Sequence, residues 1–290
     1  MPTRSRTQSF RLAGAAVVIG SRPGETLSLA AAELCRFLHR LSGRPSRLSK
    51  GLPTRGAALV LDRAAAARLG VAPAADEVGD QGYTLRHVAA GGRALLVIAA
   101  ATDVGVLYGV YGLLEELGMG FHAGGETYPE RPAPCTLPAG FEQTRRPVFP
   151  VRGNMLHYNF LCGCTDWGLD DYKFYFDQLA RMRCNLLLMH WYDGEPGAAY
   201  EFNGEYLAGG RTPNSLTRPW GALAALRTSQ FSFDTARCFD AEVYSSPAGE
   251  NLPDLLSEVK ATETAWREAT RYARTAGIRI AAGFEEPGGS

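Results

Sequence analysis

No stretch of the chain approaches the roughly 20 uninterrupted apolar residues that span a bilayer. Charge of one sign is missing as well. Thirty Lys and Arg balance thirty Asp and Glu, so no global field draws the protein to nucleic acid or to a membrane surface. Cysteine is sparse, and its six positions (35, 135, 162, 164, 184 and 238) are scattered, several of them inside apolar patterns. That argues against a disulfide framework and for a reducing compartment. The Cys-x-Cys at 162–164 is not the Cys-x-x-Cys of zinc knuckles, so no metal site is expected although His157, Cys184 and His190 lie in the same region. Nucleotide-binding, phosphoryl-transfer and Ser/His/Asp signatures are absent, and no cofactor is expected. A secretory leader is not evident either. The basic start is followed by only about eight apolar residues and no small-residue cleavage site. The run is read as a first strand over 15–19, and the expected location is cytoplasmic, with secretion left open.

What remains is the composition of an ordinary globular protein, 46% apolar and 21% charged. Its 290 residues are enough for two domains. Residues 26–41 place Leu27, Ala30, Ala31, Leu34, Leu38 and Leu41 on one helical face, with Thr26 as N-cap and Gly43 as stop. Residues 57–61 read as a strand and 64–69 as one or two helical turns. Two strand runs, 82–88 and 93–99, are joined by Ala-Ala-Gly-Gly, a hairpin signal. A helix follows, capped by Thr102 or Asp103 and ended by Gly118. Gly105, Gly109 and Gly112 share one face of it, and each costs about 0.5–1 kcal/mol relative to alanine. The stripe is read as close approach of the helix to a sheet. It is not Gly-x-Gly-x-x-Gly, and it lies inside a helix rather than before one. Six prolines between 129 and 150 then interrupt all periodicity, which reads as a linker or an edge extension between domains.

The stretch from Pro147 to Asp193 organises the second half. A short apolar run, 148–156, contains Arg152. Residues 169–182 carry apolar side chains at 169, 172, 176, 179 and 182, the spacing of one buried helix face. Residues 186–189 are continuously apolar, as in a parallel strand covered on both sides, and they stop abruptly at His190, Trp191, Tyr192 and Asp193. Such an ending is what the C-terminal mouth of a (β/α) barrel looks like in sequence. A long Gly-, Pro- and Asn-rich segment, 194–229, precedes an amphipathic helix over 253–276 and a strand over 278–284 that ends in Glu285 and Glu286. The expected fold class is therefore α/β. A small mixed α/β domain (1–125) and a proline-rich linker (126–146) lead into the first units of a (β/α) TIM-type barrel (147–290). With three strands and two helices that barrel is incomplete, since closure takes eight units. The chain is accordingly read as the front part of a longer protein or a truncated frame.

At this point a resemblance can be stated. Gly105 to Gly118 follows the pattern G-x-x-Y-G-x-Y-x-L-L-E-x-L-G, preceded by the strand pair GYTLR and LLVIAAA. This resembles the small domain that precedes the barrel in α-glucuronidases and β-hexosaminidases, glycoside hydrolase families 67 and 20. FPVRGNML resembles the first barrel strand of that group, and LARMRCNLLLMHWYDG resembles its next helix and strand. The resemblance implies a carbohydrate substrate, an arginine (Arg152) on sugar hydroxyls, and catalytic carboxylates at or beyond the fourth barrel strand, past Ser290.

The residues themselves offer a site at the strand ends. Arg152 could clamp paired hydroxyls or a carboxylate, or form a structural ion pair. His190 and Asp193 could bind hydroxyls, or His190 could be a satisfied core histidine, and Trp167, Trp191 and Tyr192 could stack on a sugar ring or simply pack. His157 and Tyr158 are weaker candidates. Glu285 and Glu286 are the one carboxylate pair at a strand end. Glycosidases use two carboxyl groups about 5–5.5 Å or 6.5–9.5 Å apart. Neighbours on a strand point to opposite faces, so this pair can supply one member only. His39, His87 and His122 have no evident partners. The expected function is a glycoside hydrolase of α-glucuronidase type, present here as its N-terminal part. A non-catalytic sugar-binding or scaffold protein, or an inactive fragment, is the alternative. Oligomeric state is left open.

Overall fold

A computed structural model describes residues 9–73, 75–130, 134–157, 169–191, 200–207 and 255–284. The chain divides into two units. The first comprises residues 1–150 together with Ala180–Arg183 and Thr275–Gly277, and the second takes the remainder.

In the first unit the described elements are β1 (Ser9–Arg11), β2 (Ala16–Val18), α1 (Glu25–Ser42), β3 (Leu48–Ser49), β4 (Gly56–Val60), α2 (Arg63–Arg68), α3 (Ala75–Val78), β5 (Tyr83–Ala90), β6 (Arg93–Ala99), α4 (Asp103–Glu116), β7 (Gly120–His122), β8 (Gly125–Thr127), β9 (Thr136–Pro138) and β10 (Glu142–Arg145). Six of the strands form one sheet in the order β10-β5-β6-β4-β2-β3. β3, β2, β4 and β6 run parallel, while β5 and β10 join antiparallel. The β5–β6 hairpin turns at Gly91 and Gly92, both in the left-handed region at φ 57° and 74°. Two consecutive residues there make the type I′ turn that matches strand twist.

The alternation of a strand sends its side chains to two faces, and β6 uses both. Leu95, Val97 and Ala99 join Ala65 and Ala66 of α2 in one apolar cluster. Ile98 points to α4, where a Cβ on Gly109 would come within 2.5 Å of it. A Cβ on Gly105 would meet Ala100 and the Gly82 carbonyl at 2.7 Å, and one on Gly112 would strike the Tyr83 hydroxyl. The glycine stripe is thus the seam along which α4 lies on β5 and β6. Everything from Gly105 to Leu114 in α4 is buried, the pattern of a helix covered all round. Thr102 caps α4, its Oγ1 accepting from the Gly105 N–H at 3.0 Å.

One expectation is corrected here. The N-cap of α1 is Gly24, which has no side chain to cap with, rather than Thr26. The segment 126–146, read as a linker or an edge extension, carries strands. β9 pairs with β1, and β10 adds the edge strand to β5. Proline hid these strands from the periodicity, because it is tolerated at edges and strand ends.

The second unit contains β11 (Gly153–His157), α5 (Leu169–Arg181) as far as Leu179, β12 (Leu186–Trp191), β13 (Tyr200–Phe202), β14 (Glu205–Leu207), α6 (Leu255–Thr275) as far as Arg274, and β15 (Arg279–Phe284). β13 and β14 make a small antiparallel hairpin. The three-stranded sheet has the order β11-β12-β15, all parallel. Each pair is linked through a helix, as parallel neighbours require. Tyr172, Tyr175, Phe176 and Leu179 form the buried face of α5. Tyr172 lies with its ring 4.7 Å from that of Trp266 on α6, and the Tyr272 hydroxyl donates to Asp177 at 2.6 Å. No helix among the described residues is long and apolar enough to cross a membrane.

Candidate active site

Parallel pairing brings the C-terminal ends of the three strands level. His157 is opposite His190, His190 is opposite Gly283, and Trp191 is opposite Phe284. The buried Leu187 and Met189 hold β12 in the middle. Neighbouring strands lie about 4.8 Å apart. Asp193, Glu285 and Glu286 lie outside the described residues, as do Tyr158, Cys162, Cys164, Trp167, Tyr192 and Cys238. For His157, His190 and Trp191 the backbone alone is described.

Arg152 is elsewhere. It immediately precedes β11, at the end where that strand starts. Five residues at about 3.3 Å each put its backbone roughly 16 Å from the level of His190. The expectation that Arg152 shares the strand mouth with His190 is therefore corrected. The apolar run 148–156 suggested one strand with Arg152 in its middle, whereas pairing with β12 begins only at Gly153. A Cβ at Gly153 would sit 2.5 Å from the Leu186 carbonyl, so glycine permits that close start.

The opposite end has its own organiser, to which the sequence assigned no such role. Asn185, 6% exposed, accepts from the Arg152 N–H through Oδ1 at 2.9 Å. Its own N–H donates to the Arg152 carbonyl at 2.7 Å, and its carbonyl accepts from the Arg279 N–H at 3.0 Å. One asparagine thereby ties the starts of all three strands. A buried polar side chain so placed is satisfied by backbone groups. Its sequence signal was an asparagine directly before an apolar run, in the spacing N-x-x-x-x-H that ends at His190. Beside it the Cys184 thiol is pushed up in pKa by burial, with the Arg152 charge pulling the other way. Asn154 Nδ2 donates to the Tyr175 hydroxyl at 2.7 Å, fixing β11 to α5. Among the described residues no group of three or more His, Cys, Asp or Glu is placed to hold a metal ion.

Of the three histidines without evident partners, His87 acquires two. Its ring stacks on Phe10 at 4.4 Å, and its Nδ1 accepts from the Gly140 N–H at 3.0 Å.

Comparison with solved structures gives likenesses of fold. The GH20 β-N-acetylhexosaminidase from Streptomyces coelicolor A3(2) is 17% identical, with a TM-score of 0.51 over 94% of this chain and 42% of its own. A GH138 enzyme targeting pectin rhamnogalacturonan II is 12% identical, with a TM-score of 0.51 over 93% of this chain and 24% of its own. The chain thus spans less than half the length of either. No curated protein matches the sequence. Residues 2–113 match the family model described as the glycosyl hydrolase family 67 N-terminus.

Proposed function

We propose that this chain is the leading part of a carbohydrate-active glycoside hydrolase that cleaves O-glycosyl bonds, with α-glucuronidase-like specificity. The observation that carries the reading is the second unit's parallel sheet, which comes later in the chain than the family 67 N-terminal match. β11, β12 and β15 are the first three strands of a (β/α) barrel in this reading, and their level C-terminal ends are its mouth. That is where barrel enzymes keep their catalytic groups. His190, Trp191 and Asp193 bind the sugar. Glu285 or Glu286, next in sequence after β15, supplies one carboxyl group. The second comes from a later strand, because glycoside hydrolysis takes a proton donor and a partner carboxylate on opposite sides of the bond. No cofactor enters this chemistry.

The test is release of aryl alcohol from an aryl α-glucuronide and from an aryl N-acetyl-β-hexosaminide. Both the 290-residue chain and a protein extending it through further strand–helix units are assayed. The extended protein should turn over the glucuronide and lose about 10²–10⁴ of that rate in Glu285→Gln or Glu286→Gln, the usual worth of a general acid or base. The chain alone should not exceed the buffer rate. Turnover by the extended protein that is untouched by either substitution would remove these glutamates from the site. Turnover by the chain alone would end the reading of an incomplete barrel.

A further inference from the structure

The first unit carries a cleft that hydrolysis does not use. Along its sheet, β2 has β3 on one side and β4 on the other, so the chain changes its direction of travel between β2 and β4. Open parallel sheets hold small ligands in the crevice outside the strand C-termini at such a switch point. A cavity of about 480 Å³ lies there, inside the range of small-molecule sites. It is lined by the loop 19–24 after β2, by Lys50 after β3, by Asp62 and Arg63 after β4, by Arg68 of α2 and by Asp103 after β6.

The charges in this cleft do not cancel. Arg63 is engaged with Asp103 at 3.3 Å and donates to the Ala101 carbonyl. Asp62 is engaged as the cap of α2, its Oδ1 accepting from the Ala64 N–H at 3.0 Å. Arg22, Lys50 and Arg68 form no side-chain hydrogen bond or ion pair among the described residues. The four cations of this lining therefore outnumber its two carboxylates, Asp62 and Asp103, and the cavity keeps an excess of positive charge. Gly24, the N-cap of the 18-residue α1, also lies in this lining and supplies no side-chain cap. The positive end of the helix dipole adds the same sign. No aromatic ring is among the lining residues, so stacking on a sugar face is not what the cleft offers.

We propose that this cleft binds a small, sugar-sized anion through its carboxylate or phosphate group, held by Arg22, Lys50 and Arg68. The cleft is built from first-unit residues alone, so its occupancy is independent of the proposed hydrolase activity.

Calorimetric titration of the full chain with glucuronate, glucose 6-phosphate and glucose tests this, against wild type and the double variant Arg22→Glu/Lys50→Glu. Both positions are exposed, and a thermal melt of the variant establishes that it folds. At least one of the two anions should bind wild type and bind the variant about tenfold or more weakly, the loss of one charge-assisted hydrogen bond. Preference between glucuronate and glucose 6-phosphate identifies the source of the anion. Arg68→Glu alone should weaken binding in the same direction. Absence of binding by both anions, equal binding of neutral glucose, or an unchanged affinity in the folded variants would each overturn the proposal.

Discussion

Arg181 Nε donates to Glu33 Oε2 at 2.8 Å, and both side chains are buried, at 4% and 9% exposure. The pair sits inside the first unit, which takes Ala180–Arg183 from far along the chain. Glu33 also meets Arg36 at 2.9 Å and accepts from the Tyr111 hydroxyl at 3.4 Å. Arg181 reaches Glu126 at 3.5 Å. Removing one member of a buried pair strands the other charge and costs about 3–5 kcal/mol, whereas replacing both by apolar groups is often neutral. Arg181→Met should therefore lower the unfolding free energy, by less than that range because Arg36 still answers Glu33, and adding Glu33→Met should recover part of the loss. Denaturant melts of the two singles and the double measure it. Additive losses would mean that the pair is not coupled.

Gly109→Ala sets two effects against each other. Alanine improves helix propensity by about 1 kcal/mol, but its Cβ would come within 2.5 Å of Ile98 Cγ2 and 3.2 Å of Tyr83. Overpacking of that kind costs about 1–3 kcal/mol, so contact wins and the variant should melt lower. A higher melting temperature would show that α4 can lift off the sheet at no cost.

β10 covers β5, and the Thr84 and Thr144 hydroxyls meet across the pair at 2.9 Å. A fragment ending at residue 140 lacks that strand and leaves the β5 edge open, an invitation to pair with another chain. Residues 1–150 should accordingly give a soluble fragment with a cooperative melt, and residues 1–140 a less stable one that self-associates. Light scattering alongside thermal melts compares the two.

Legibility followed periodicity. The amphipathic faces of α1 and α5, the Ala-Ala-Gly-Gly turn and the continuous apolar run of β12 each show their cause within a few residues, and each is where the pattern put it. β9 and β10 were not legible. Their pairing partners, β1 and β5, are distant in sequence, and their own segment is broken by proline. Arg152 was misplaced for a related reason. A strand's chemical end depends on where pairing begins, which Gly153 and Asn185 decide through backbone contacts that leave no pattern in sequence. The Glu33–Arg181 pair, 148 positions apart, is the same case for charge.

His87 gives a pH dependence. Its Nδ1 accepts from the Gly140 N–H, so the ring proton is on Nε2, which is buried without a partner among the described residues. Burial holds its pKa below the ordinary histidine value. The unfolded chain therefore binds the proton first as pH falls, and the contribution of His87 is complete above about pH 6.5 and declines below it. Relative to His87→Phe, wild type should lose stability between neutral pH and about pH 5. Parallel urea melts of both proteins isolate the term from the carboxylates they share. A difference that stays constant with pH would mean that the ring can take its proton in place.

The two ends of the second unit's sheet make opposite predictions for carbohydrate binding. His190 is level with Gly283 at the strand mouth, while Arg152 lies roughly 16 Å away where β11 starts. In a protein extended through the remaining strand–helix units, His190→Ala should weaken an iminosugar by about 0.5–1.5 kcal/mol, the net worth of a neutral hydrogen bond. Arg152→Ala should leave that affinity unchanged. Its backbone ties to Asn185 survive the substitution, but the charge beside Cys184 is gone. The Cys184 thiol should then titrate higher and react more slowly with a disulfide reagent, since the thiolate is the nucleophile. Calorimetry and thiol-labelling rates on the two variants separate the roles. Loss of iminosugar affinity in Arg152→Ala, with labelling unchanged, would return that arginine to the sugar site.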